Sequence, residues 1–194
     1  MNRKEEIDAR IETLQEELEK LKKQRERIEK PITERIKTFT DALEELGSEN
    51  PLVRQYMAAA NGNESFTRNT IAYIKLQIVA AALNEGWRPQ FAEYEYRWSP
   101  WFTLWTEEEL KDKSEEWKAK HKLVRFGGDS HDGASCGLAD VASYAAWSNA
   151  FSDLSARLAV KSEEISDYFG NQFIDIWSEY LLDGCEIEKD DTDV

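Results

Sequence analysis

Residues 125–138, RFGGDSHDGASCGL, crowd Asp129, His131, Asp132 and Cys136 among four glycines. Two kinds of chemistry could use these side chains. A thiol at the amino terminus of a helix is acidified by the unpaired amides there, so Cys136 with His131 as base and Asp129 or Asp132 as orienter would form a nucleophilic centre. Alternatively, Asp129 and Asp132, joined by His131 and Cys136, would ligate a hard cation or zinc. The spacing argues against the metal. There is no C-x-x-C or H-E-x-x-H pair, and His121 is the one other histidine. Gly127-Gly128 matches neither a P-loop nor a dinucleotide fingerprint, because no Lys-Ser/Thr follows. No metal, cofactor or catalytic residue is therefore assigned. The plainer reading is a turn: glycine permits unusual dihedrals, an aspartate closes on its own backbone, and Cys136 is a small hydrophobe leading into a helix from about Gly137.

The second candidate is aromatic. Eight aromatic residues fall in the nineteen from Trp87 to Trp105. Tyr94, Tyr96 and Trp98 alternate as on a strand with one aromatic face, Ser99-Pro100 signals a turn or an edge, and PWFTLW reads as the hairpin partner or as an extended crossing. Trp98, Trp101 and Trp105 with Arg97 are the candidate ligand-binding residues, a platform on which bases or sugars could stack. Glu93, Glu95 and Glu107 to Glu109 surround them, with Arg88 and Arg97 the only cations near, so core volume for a small sheet is the expected role.

Several elements must position these residues. HKLVRFGG reads as a third strand, which predicts a three-stranded antiparallel sheet. LVRQYMAAANGNES predicts a short helix ending at Asn61-Gly62. FTRNTIAYIKLQIVAAALNEG predicts a central helix closed by Gly86. Thr106 and Glu109 form a capping-box pattern. LADVASYAAWSNAFSDLSARLAV reads as a helix buried on several sides, with Ala139, Ala142 and Ala146 allowing close approach. SEEISDYFGNQFIDIWSEYLL predicts a final helix capped by Ser162, with Gly170 at a close crossing.

The amino-terminal residues carry a heptad seam. Ile7, Leu14, Leu21 and Ile28 occupy one position and Ile11, Leu18, Ile32, Phe39 and Leu46 the other, interrupted by Arg25 and Arg35. Pro31 must break or kink this helix. The fold class is α+β: a helical body around a small antiparallel aromatic-rich sheet, with a coiled-coil-like arm over 1–46, a globular domain over 47–182 and an acidic disordered tail over 183–194.

Charge and cysteine usage bound the function. A formal net charge of −14 disfavours direct binding to nucleic acid or to an anionic bilayer. No apolar run approaches the roughly 20 residues of a membrane span. Two cysteines and no apolar leader imply a reduced, cytoplasmic setting, with the virion as the alternative.

The segments YIKLQIVAAALNEGWRPQF, YRWSPWF, VRFGG and ARLAVKSEEISDYFGNQFIDIW resemble a family of uncharacterised proteins of Bacteroidales bacteria and their phages, over about residues 70–182. The chain departs from that family's usual pattern at Ala156, Ala159 and Val160. The resemblance implies a phage or prophage origin and assigns no catalytic residue. The leading expectation is a noncatalytic, oligomeric, phage-associated binding or assembly protein. It would self-associate through the arm, with a phage or host protein as the other class of partner. One alternative is an enzyme or small-ligand-binding protein centred on the 127–137 loop. Another is an acidic inhibitor that imitates nucleic acid.

Overall fold

The computed structural model describes residues 3–61, 66–90, 92, 94–127, 136–147, 157–182 and 186–187. The chain divides into two compact units after Arg35. The first holds α1 (Arg3–Ile28) and α2 (Ile32–Arg35), separated at Pro31 as its missing donor and ring require. Lys22 pairs with Glu19 at 2.8 Å and Arg25 with Glu29 at 3.1 Å, both at helix-neighbour spacing and exposed, so each contributes little beyond local helix support.

The second unit begins with α3 (Phe39–Leu46). Its capping box has Thr38 Oγ1 accepting from the Asp41 N–H and Asp41 Oδ2 accepting from the Thr38 N–H. Phe39 lies edge-on to Tyr56 at 4.9 Å, so the heptad seam read through Phe39 and Leu46 passes out of the arm and into the body. Gly47, at φ +75°, ends α3. Asn50 Oδ1 caps α4 (Pro51–Ala60) by accepting from the Leu52 N–H at 2.9 Å, with Pro51 at the first helical position.

Helix α5 (Arg68–Leu83) starts at the Thr67 cap and is the central element expected from its apolar composition. Ile74, Leu76, Ile78, Val79, Ala80 and Leu83 are all buried, which requires partners on several sides. They are α3, α4 and two later helices, α8 (Glu163–Gln172) and α9 (Ile174–Leu181). The final helix expected from the sequence is therefore two. Phe173 leaves helical geometry between them, at φ −116°, and its ring packs on Tyr168 and Phe169. Gly170 is buried on α8.

The sheet is antiparallel, in the order β1-β3-β2-β4, with β1 Tyr96–Thr106, β2 Val124–Gly127, β3 Cys136–Trp147 and β4 Glu186–Ile187. Three expectations are corrected here. First, YRWSPWFTLWT is one continuous strand, not a hairpin. Pro100 fits because Trp98 turns its own N–H and C=O away from β3, to Val160, and Pro100, two residues on, faces its donorless nitrogen the same way. Tyr94 lies outside the strand, at φ +68°. Second, the residues from Gly137 to Trp147 are not the start of a helix but the central strand β3; residues 148–156 of that stretch lie outside the described residues. Of the alanines read as a helical face, Ala142 pairs with Trp101, Ala146 with Arg97 and Ala139 with Thr103, and the neighbouring Ala145 pairs with Trp98. Small side chains make room for tryptophan across the ladder, and that context outweighs alanine's helical preference. Third, Glu186–Ile187 of the expected disordered tail pair with β2 as β4; the rest of the tail lies outside the described residues.

Two short helices, α6 (Glu107–Lys111) and α7 (Glu115–Lys120), link β1 to β2. The capping box read from Thr106 and Glu109 opens α6. One sheet face packs on α8 and α9. Phe102 lies 5.3 Å from Trp177, which also meets Phe169 at 5.0 Å, and Ser143 Oγ donates to Asp167 at 2.5 Å. Leu138, Ile174 and Leu182 complete this part of the core.

Candidate functional site

The pleat of β1 separates the four candidate ligand-binding residues. Arg97, Trp101 and Trp105 are spaced by even intervals and share one face, whereas Trp98 lies on the other. Arg97 is 6% exposed, too deeply buried to track a phosphate backbone. Trp98 is half-buried, with its backbone paired to Val160 through bonds of 3.1 and 2.9 Å. Trp101 is 60% exposed. Trp105 meets Trp117 edge-on at 5.3 Å, Lys113 Nζ lies 4.3 Å from its ring centre, and His121 stacks on Trp117 at 4.3 Å. Trp105 thus fastens α6 and α7 to the sheet through aromatic and cation–π contacts. These rings do not make one continuous platform.

Asp129, His131 and Asp132 lie outside the described residues. Cys136 is the first residue of β3 and pairs with Thr106 and Phe126, so the helix amino terminus that was to acidify its thiol is a strand instead. Among the described residues, no group of three His, Cys, Asp or Glu side chains could hold a metal ion, and no helix is long and apolar enough to cross a membrane.

A different site is built around α5. A cavity of about 490 Å³ is lined by Gln77, Ala81 and Asn84, which form a single stripe at helical spacing. The first turn of α4 supplies Asn50 to Leu52, and the segment leaving α5 supplies Trp87, Arg88 and Pro89. Arg157 completes the lining. The turn that brings Trp87 back depends on positive φ at Glu85 (+49°) and Gly86 (+86°).

The polar groups of this cavity differ in their commitments. Asn84 is occupied: its Nδ2 donates to the Ala159 carbonyl at 2.8 Å and its Oδ1 accepts from the Lys161 N–H at 3.1 Å. Gln77 is only 3% exposed and lines the cavity. Arg88 is exposed and forms no ion pair among the described residues. Among the described residues no carboxylate lines the cavity, although the whole chain carries a net charge of −14.

The sequence held one sign of this site that went unread, a glutamine inside the apolar run YIKLQIVAAAL. Its companions come from separated segments, and only the fold brings them together. Comparison with protein-family models, curated proteins and solved structures finds no match for this chain.

Proposed function

We propose that the protein is a noncatalytic, oligomeric, phage-associated binding or assembly protein that associates with copies of itself through α1. One observation carries this reading. Ile7, Ile11, Leu14, Leu18, Leu21 and Ile28 are between 47% and 70% exposed, and they recur at the spacing of a coiled-coil seam. Fully burying a side chain of this kind contributes about 1.5–3 kcal/mol. Six such side chains on each of two helices are enough to offset an association cost of about 4–15 kcal/mol. The charged remainder of α1 stays in water and sets partner choice through its Glu, Lys and Arg residues. The phage association rests on the sequence resemblance over about residues 70–182.

Sedimentation equilibrium of the full chain tests the proposal. The expected result is a mass of two or more chains that falls to one chain when Leu14, Leu18 and Leu21 are replaced together by Ser, while the near-ultraviolet signal of the tryptophan-rich body is kept. A monomeric wild-type protein, or a variant of unchanged mass, would refute it.

A further inference from the structure

We infer that α1 pairs with a second copy of itself in parallel and in register, as a two-stranded coil; the inference rests on the self-association proposed above and gives it an orientation. One seam position holds Ile7, Leu14, Leu21 and Ile28, and the other holds Lys4, Ile11, Leu18 and Arg25. In such a coil the residues flanking the seam set partner and orientation through charge. Asp8, Gln15 and Lys22 follow the first position and Arg3, Arg10 and Glu17 precede the second, all exposed on α1. When the helices run parallel, each residue of the second set reaches the residue five places further on in the other copy. Arg3 then meets Asp8, Arg10 meets Gln15 and Glu17 meets Lys22. Opposite charges meet at two of these three crossings and like charges at none, and symmetry repeats each crossing on the other side. Lys22 already reaches Glu19 at 2.8 Å within its own helix, an exposed contact of small net energy that leaves the ammonium able to serve a second carboxylate.

The antiparallel arrangement of the same seam layers Ile11 on Leu21, Leu18 on Leu14 and Arg25 on Ile7. It brings Glu17 beside Glu17 of the other copy, a like-charge contact, and keeps Asp8 with Lys22 as its opposite-charge crossing. It also sets the Arg25 guanidinium against an isoleucine. In the parallel register the two Arg25 side chains share one layer, and each has its own Glu29 carboxylate at 3.1 Å. Their long stems carry the charges out to water, which the open sides of a two-stranded seam permit and a third strand would close. A slip of one heptad would set Arg25 against Leu18, so the charged layer fixes the register at some cost in stability.

Disulfide mapping on the full chain reads the orientation. Chains carrying Ile11→Cys and chains carrying Leu21→Cys are mixed, mildly oxidised and digested for mass spectrometry, which separates arm disulfides from any formed by Cys136 or Cys185. Parallel pairing is expected to join position 11 to 11 and position 21 to 21. Antiparallel pairing would join 11 to 21, because it holds like-numbered positions about ten residues, or about 15 Å, apart along the axis, beyond the reach of a disulfide. Charge variants test the same point with the seam intact, by sedimentation equilibrium against an expected wild-type mass of two chains. Glu17→Lys should weaken association by about tenfold, and Glu17→Lys combined with Lys22→Glu should restore it to within about threefold. In the antiparallel pair Glu17→Lys would replace one like-charge contact by another and change little, and the combined variant would be weaker still, with Glu at position 22 facing Asp8. Bonds joining 11 to 21, an unaffected Glu17→Lys chain, a combined variant weaker than the single one, or a wild-type mass above two chains would overturn the inference while self-association stands. A monomeric wild-type chain would remove self-association itself, and an oligomer free of arm disulfides would place the contact outside α1; either result overturns the orientation with it.

Discussion

The Asn84 side chain holds the backbone of Lys161, accepting its N–H at 3.1 Å while donating to the carbonyl of Ala159 at 2.8 Å. Lys161 Nζ answers from its own side chain with an ion pair to Glu85 at 2.7 Å. The carboxyl end of α5 is thereby fixed to the segment that presents Val160 to β1. Asn84→Ala leaves a buried carbonyl and amide unmet, so a loss of about 1–3 kcal/mol is expected from the urea midpoint. A change within about 0.5 kcal/mol, the ordinary range for surface positions, would contradict this role.

The tryptophans of β1 should respond unequally to truncation. Trp101→Ala should cost no more than about 0.5 kcal/mol, because its ring is 60% exposed. Phe102→Ala should cost about 3–5 kcal/mol, since that ring packs on Trp177 in the core. Equal midpoint shifts for these two adjacent variants would show that the assigned faces are wrong.

Gly137 has no room for a larger side chain. A Cβ built there would stand 2.4 Å from Leu123 Cδ1 and 3.0 Å from Leu110 Cδ1, and Leu110 is 1% exposed. Gly137→Val is expected to cost about 1–3 kcal/mol by overpacking. Adding Leu123→Ala should recover part of that loss, and a double-mutant cycle on thermal unfolding measures the coupling.

Glu109 carries a pH dependence whose sign follows from its cap. The Thr106 N–H and hydroxyl donate to its carboxylate at 2.9 Å each, which holds its pKa below the ordinary glutamate range. A depressed folded pKa means that the contribution is present above the unfolded value and is lost as pH falls through the folded one. Carboxyl NMR titration should place the Glu109 midpoint below that of an unstructured glutamate, and Thr106→Val should return it toward the ordinary range. An unshifted midpoint in the wild-type protein would contradict the cap.

Locally encoded features were readable from the residues. The caps at Thr106 and Ser162, the break at Pro31, the extent of α5 and the strand β2 each depend on a few neighbouring side chains. β3 was not readable, because its run of Ala139, Ala142, Ala145 and Ala146 records what stands opposite it in β1 rather than its own preference. Phe173 was equally hidden: the weak helix formers Gly170 and Asn171 both stay inside α8, and the contacts of the Phe173 ring with Tyr168 and Phe169 accompany the break after them. The α5 cavity draws on residues 50–52, 77–89 and 157, so its composition is a product of topology.

The reciprocal bonds between Trp98 and Val160 also bear on how copies of the body can meet. An open sheet edge invites a foreign strand, which can propagate into domain swapping or fibrils. Along the first half of β1, Val160 already occupies the outward backbone groups of Trp98, and Pro100 has no donor to offer. A strand from another chain therefore finds no ladder to extend there. Crowding at high local concentration is met by an edge that resists templated aggregation at this point.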